Sequence, residues 1–506
     1  MRAPNIVFIV ADQFRFDALG CLDPRIKTPN LDRLAASGMR FERTFAPTPV
    51  CLPCRASMVT GQYSSTHGAC HNFARLPEDY DNLLGTVFSQ RGYYTHFVGK
   101  SHLAPCHDPL SQEAAPHIHN REYYRRWHGP WYGFQRADIA IGHTAEAHAC
   151  GMHYGVWLED QGVDTDRYFG HHAYTAYGAW DLPEEYHNSK WTADATIQGL
   201  DRAAELGQPY FGWVNFQDPH NPCVVPEPWA SMYDPAQIPQ HGFKDGEPAC
   251  FDDKPPFYKE LLEQPGDYAC QPSDPALTNC GNVCHLDWDQ DQVQANAAAY
   301  YGMISLLDHH VGRILDHLEA TGQRDNTLIV FTADHGEILG DHGLWFKSMV
   351  AYDESIRVPM IVSYPGRVPA GTVQPAFQNL IDLFPTFCHY AGIPAPWRCE
   401  GVDQHTSWED PATAVRDHTI VEERPTSDRF AQRIIITDDY KMALYAERDF
   451  GELYRLPDDP HHTCNLWDDS DHAAIRQRLT ARILSDELLR REPHPTFQVA
   501  EDYRVH

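Results

Sequence analysis

The chain has 506 residues, enough for one large domain and a smaller companion with ample core. A hydrophobic fraction of 42% and a charged fraction of 22% are those of an ordinary globular protein, and no apolar run approaches a membrane span. A formal net charge of −30 argues against nucleic acid or an anionic membrane as partner, so an anionic ligand must be drawn in by local positive charge.

Asn5 to Val10 is a continuous β-branched and apolar run that stops at Asp12-Gln13. It is too short for a signal peptide and lacks a small-residue cleavage site, so it reads as a first buried strand and favours a cytoplasmic location. Fourteen cysteines are then mostly reduced thiols rather than a disulfide framework.

Thr28-Pro29-Asn30 opens an amphipathic helix carrying Leu31, Leu34 and Ala35, and Phe41 to Ala46 suggests a second strand. Next comes Cys51-Leu52-Pro53-Cys54-Arg55, in which Pro53 suits the first position of a helix that Gly61 can end. A side chain at position 51 would sit where free N–H groups and the macrodipole favour an anion. Asn82 to Gln90 reads as helix, and Tyr94 to Val98 as a strand ending at Lys100. From about 105 to 181 the chain is rich in His, Trp, Tyr and Gly with weak periodicity, as in long loops over a pocket. Ala193 to Leu206 reads as helix, and Tyr210 to Phe216 as a strand delivering Asp218-Pro219-His220. Pro222 to Cys284 is a further irregular excursion.

Ala297 to Glu319 is the clearest helix, and Leu328 to Thr332 is a short strand running into Asp334-His335-Gly336. Pro359 to Ser363 and a helix around Ile381 to Ala391 complete the larger unit, taken as residues 1–395. Residues 396–506 form a smaller α+β segment with strands near Ile434 to Ile436 and Lys441 to Tyr445. In its tail, Phe497, Val499 and Tyr503 need a packing surface, which suggests contact with the same or a neighbouring subunit and hence a homo-oligomer.

The Cys-x-Pro-x-Arg of residues 51–55 resembles the signature of the type I sulfatases, in which the first cysteine is oxidised to formylglycine. Gly92-Tyr93-Tyr94-Thr95 with Gly99-Lys100-Ser101-His102 resembles the second sulfatase signature, and Glu452-Leu453-Tyr454 with Asn465-Leu466 the closing segment. The likeness runs from about Asn5 to Leu466 and departs at Cys54, where many sulfatases carry serine. It implies an alkaline-phosphatase-like α/β sandwich, with a large mixed central sheet flanked by helices and a smaller C-terminal α+β subdomain.

Asp12, Gln13, Asp334 and His335 offer carboxylate, amide and imidazole donors from two strand ends. Hard oxygen donors favour Ca²⁺, with Mg²⁺ and, because of the histidine, Mn²⁺ as alternatives. Many sulfatases have Asp and Asn at the positions of Gln13 and His335; the Asp-Gln/Asp-His pairing occurs among bacterial sulfatases and phosphonate monoester hydrolases. Cys51 and Cys54 also form a Cys-x-x-Cys, which could be redox-active or half of a zinc site completed by Cys280 and Cys284.

The resemblance assigns the chemistry residue by residue. Formylglycine 51, beside the metal and Arg55, attacks the sulfur of a small anionic sulfate ester. His220 with Lys347 protonates the leaving oxygen, while Lys100 and Arg55 stabilise charge. His102 removes a proton so that sulfate is expelled. The expected activity is that of an arylsulfatase-like sulfuric ester hydrolase matured by a formylglycine-generating enzyme. A phosphonate monoester or phosphodiester hydrolase with the same machinery is the alternative, and a non-catalytic metal- or thiol-binding protein is the rival from another class.

Overall fold

The computed structural model describes residues 3–106, 108–238, 251–263, 283–424 and 430–490. In chain order the first strands are β1 (Asn5–Ala11), β2 (Met39–Phe45), β3 (Tyr94–Lys100), β4 (Arg136–Ala140), β5 (Tyr177–Ala179), β6 (Tyr210–Asn215) and β7 (Cys223–Val225). They continue with β8 (Thr327–Ala333), β9 (Arg357–Ser363), β10 (Thr372–Asn379), β11 (His418–Glu423), β12 (Gln432–Thr437), β13 (Tyr440–Tyr445) and β14 (Gly451–Arg455).

One 8-stranded sheet has the order β10-β2-β9-β8-β1-β6-β3-β4. β1 lies parallel to β6 and β8, and β9 runs antiparallel to its neighbours β2 and β8, so the sheet is mixed as expected. Every residue of β1 and β8 is buried, because helices cover both faces. The Gln290–Ala320 helix is the longest of these, with a capping box at Asp289 and Gln292 that satisfies its first free amides. The strands β11 to β14 form a second, antiparallel sheet, in keeping with the expected C-terminal α+β unit. Cys399 and Trp408, beyond Pro396, pack into the core of the large sheet.

Several boundaries differ from the sequence reading. The Cys51 helix spans Cys51–Thr60 with Val50 as its extended N-cap, so Pro53 is the third helical residue rather than the first. The stretch 105–181 is more ordered than expected, since it contributes edge strand β4 and a helix at Met152–Asp160. The strands β5, β7, β10, β11 and β14 were not expected either. The cysteines at 21, 51, 54, 106, 150, 223, 388 and 464 are free thiols. Cys280 of the proposed zinc pattern, most of the Pro222 to Cys284 excursion between 239 and 282, and the tail from 491 to 506 lie outside the described residues. Among the described residues no helix is long and apolar enough to cross a membrane.

The sheet places the site. Asp12 follows β1 and Asp334 follows β8, and the two strands are paired in register with Ala11 opposite Ala333. Lys100 ends β3, Asn215 ends β6, and Asp218 to Asn221 follow directly. The carboxyl ends of four neighbouring parallel strands thus deliver polar segments to one edge, as open α/β sheets place their ligands.

Candidate active site

Residue 51 is the first residue of its helix and is buried at the centre of the cluster. Its Sγ lies 3.0 Å from His335 Nε2 and 3.8 Å from Asp12 Oδ1. Asp12, Cys51, Asp334 and His335 are all buried, and their donor atoms lie within 4.8 Å of one another. His335 Nδ1 is 2.9 Å from the carbonyl of Gly336, which places a proton on Nδ1 and leaves the Nε2 lone pair facing the cluster. Burial first, and then Lys347, push His335 down to about 4, so it stays neutral and able to ligate at neutral pH. A buried set of two carboxylates, a neutral imidazole and residue 51 fits a divalent cation.

Gln13 is placed differently from the other expected ligands. Its backbone N–H donates to Asp334 Oδ1 at 3.1 Å, but its side-chain oxygen accepts from Lys347 and its amide nitrogen donates to Asn221 Oδ1 at 3.0 Å. The same nitrogen donates to Glu337. Gln13 thus links the metal cluster, through its backbone N–H, to Lys347, through its side-chain oxygen. It adopts a positive φ of 63°, as do Phe346, Ser348 and Met349 around Lys347. Strained backbone of this kind persists only where the surroundings over-determine it.

Cationic groups surround residue 51. Arg55, one turn along the helix, is fully buried; its Nε donates to Asp334 Oδ2 at 2.9 Å and its Nη1 to Asn215 Oδ1 at 3.0 Å. Arg55 Nη2 is 3.4 Å from Asp12 Oδ2, and Lys100 Nζ is paired with the same oxygen. Burial would strip the proton from Lys100, yet Asp12 holds it above its ordinary value. For Asp12 burial works against ionisation, and the charges of Lys100, Arg55 and Lys347 overcome it, holding the carboxyl well below the usual range. Gly99, with φ of 84°, precedes Lys100, and a Cβ there would stand 1.9 Å from the carbonyl of Asn215. Only glycine lets β3 approach β6 so closely before the lysine.

His102 is 4% exposed with φ of 54°, and its Nδ1 has no hydrogen-bond partner among the described residues. Burial, then Lys100 and His143, push its pKa well down, so it is a neutral ring with an open nitrogen. His220 Nδ1 lies 2.7 Å from the Asn221 carbonyl, and its Nε2 is 2.7 Å from Lys347 Nζ. Asp12, residue 51, Arg55, Lys100, His102, His220, Asp334, His335 and Lys347 therefore come together at one edge of the sheet. Sequence reasoning did not single out Asn215, Asn221, Glu337 or Glu146. Cys54 lies in the apolar core behind the helix. His67 bonds Ser57 Oγ at 3.0 Å as a packing residue, while Asn72 Oδ1 accepts from the free N–H of Leu52 at 3.2 Å.

The sulfatase family model matches residues 4–393, more than half of the chain. The chain belongs to the sulfatase family. A second family model, the C-terminal region of N-sulphoglucosamine sulphohydrolase, matches residues 340–488. An arylsulfatase of Clostridium perfringens is 27% identical, covering 97% of this chain and 95% of that protein. A phosphonate monoester hydrolase of Silicibacter pomeroyi superposes with a TM-score of 0.79 at 25% identity, covering 99% of this chain and 98% of its own. That of Agrobacterium radiobacter gives 0.78 at 27% identity, covering 99% and 98%. This sulfatase is thus a hydrolase of the alkaline phosphatase superfamily, and the cluster around residue 51 occupies the edge of its central sheet.

Proposed function

We propose that the chain is an arylsulfatase-like sulfuric ester hydrolase acting on a small anionic ester. The observation that carries this reading is residue 51 at a helix N-terminus, 3.0 Å from His335 Nε2 and beside Asp12, Arg55 and Lys100. Asp12, Asp334, His335 and residue 51 would hold a divalent cation, with Ca²⁺ favoured by the carboxylates and Mn²⁺ or Mg²⁺ as alternatives. When bound, the ion supplies positive charge at the reacting oxygens. Formylglycine at residue 51, made by a formylglycine-generating enzyme, supplies when hydrated the attacking hydroxyl.

The chain's own groups do the rest. Arg55 and Lys100, fixed by Asp334, Asn215 and Asp12, bind the charged oxygens and stabilise charge that builds on them. The Lys347–His220 pair holds a proton on Lys347 Nζ, hydrogen-bonded to His220 Nε2, for the leaving oxygen, and His102 Nδ1 is free to accept one from residue 51. The net reaction consumes water, breaks the ester bond to sulfur and yields an alcohol or phenol and sulfate. The free thiols fit maturation in a reducing compartment.

Phosphonate monoester hydrolysis is the second reading, favoured by the TM-scores of 0.79 and 0.78 to such enzymes. Rates of the modified, metal-loaded protein on an aryl sulfate, an aryl phosphonate monoester and an aryl phosphodiester separate the two. A clear preference for the sulfate supports the first reading, and a preference for either phosphorus ester overturns it. An unmodified, inactive Cys51 in the native host would instead favour a binding protein.

A further inference from the structure

One imidazole at the edge of the cluster has no part in the chemistry above. His143 lies on the segment after β4, and its ring is parallel to that of His220, with centroids 3.6 Å apart and an interplanar angle of 8°. His143 Nδ1 is 2.8 Å from Glu146 Oε2, which sets the rotation of the ring. Thr144, with φ of 27°, donates through Oγ1 to Asp218 Oδ1 at 3.1 Å and to the carbonyl of His220 at 3.3 Å. The His143 segment and the His220 segment are therefore tied together on either side of the stacked rings. His102 approaches His143 edge-on at 6.4 Å, and Tyr174 stands edge-on to His143 and His220 at 6.2 and 5.9 Å.

His220 needs such a support. Its two nitrogens are bonded in the ring plane, to the Asn221 carbonyl and to Lys347, and neither bond resists tilting of the ring. A flat partner across one face does, and it keeps water from that face of the Nε2–Nζ pair. Glu146 stays ionised despite burial because His143 faces and bonds it, with Lys100 adding to the effect.

We propose that His143, oriented by Glu146, is the positioning residue for His220, holding its Nε2 against Lys347 Nζ so that the pair is aimed at the leaving oxygen. The inference rests on the ester-hydrolase reading above and adds to it a structural determinant of which leaving groups are tolerated. Esters of weakly acidic alcohols depend on a proton delivered at the right place, whereas a nitrophenol leaves without one.

The test uses the full-length, modified and metal-loaded protein with a series of aryl esters whose phenols span a wide range of acidity. H143A should lose about 10-fold to 100-fold in kcat on the least acidic phenols, little on the most acidic, and leave KM nearly unchanged. H143F, which keeps a flat ring, should recover most of that loss, and E146Q should fall between it and H143A. An equal loss across the series, no loss at all, or H143F as poor as H143A would overturn the proposal. Running the series as both sulfates and phosphonate monoesters keeps the two questions apart. A wild type active only on phosphonates sinks the sulfate reading, and the His143 effect is then read on those esters.

Discussion

Lys347 Nζ lies 2.7 Å from His220 Nε2, across 127 residues of chain. Because His220 Nδ1 faces the Asn221 carbonyl, Nε2 is the acceptor and the lysine is the donor. Burial, then His143 and Lys347, keep His220 neutral by pushing its pKa well down, which suits a ring that passes a proton on rather than storing it. H220A and K347A should each lower kcat by about 10²–10⁴-fold on an ester with a poor leaving group. Since the two groups act as a unit, the double variant should be little worse than either single one. Multiplying losses would show that they work independently.

The metal can be tested at Asp334. Its Oδ2 also receives Arg55 Nε at 2.9 Å, so Asp334→Asn weakens both the cation site and the arginine that faces the substrate. Metal content by elemental analysis and turnover should fall together, with affinity lower by at least about 10-fold, the scale known for groups one layer further out. Full activity in metal-stripped protein rules the site out.

A pH effect on stability follows from Glu423, at the end of β11. It accepts hydrogen bonds from Ser348 Oγ and, at 2.8 Å, from the Met349 N–H, holding the strained segment beside Lys347. Burial raises its pKa to about 7, against the ordinary 4.5, and those two bonds only partly offset the rise. The folded protein therefore binds a proton that the unfolded chain has already released between these values. The contribution is complete below about 4.5 and is lost as pH rises through about 7. Glu423→Gln should flatten the decline of the melting temperature over that window relative to wild type. Parallel melting curves for the two proteins would show that Glu423 ionises as freely folded as unfolded.

The strand ends carrying Asp12 and Asp334 were legible because each follows a nearly continuous apolar run that stops at a polar residue, whereas Lys100 and His220 were placed by their likeness to sulfatase motifs. His143 follows Arg136–Ala140, a five-residue edge strand whose alternation of half-buried polar and buried apolar residues gives no continuous apolar run to mark its end. β10 was hidden by Pro375 and two glutamines, which an edge strand tolerates. β11 ends in Glu422 and Glu423, both buried, where the sequence suggests solvent. The partner of Gln13 could not be read either. Aspartate-glutamine after a strand suggests two ligands and carries no sign of the lysine, 334 residues away, that donates to the amide oxygen.

The remaining prediction concerns which cysteine matures. Cys51 has Pro53 two residues on and Arg55 four residues on, whereas Cys54 has Ala56 and Met58 in those places. The fold separates them as well: Cys51 Sγ faces His335 and Asp12, while Cys54 is packed into the core, its thiol pushed well up by burial and then by Asp334. Peptide mass spectrometry of protein from the native host should find the aldehyde at 51 and an intact thiol at 54. Cys51→Ala should abolish turnover. Cys51→Ser should stall after one slow transfer, because a serine has no second hydroxyl with which to expel the group. Cys54→Ser places a hydroxyl in the core at a cost of about 1–3 kcal/mol in stability, and it should keep most activity because position 54 does not face the cluster. An active Cys51→Ala enzyme would overturn the assignment of residue 51 as nucleophile, and with it the roles given to Arg55, Lys100 and His102 around it.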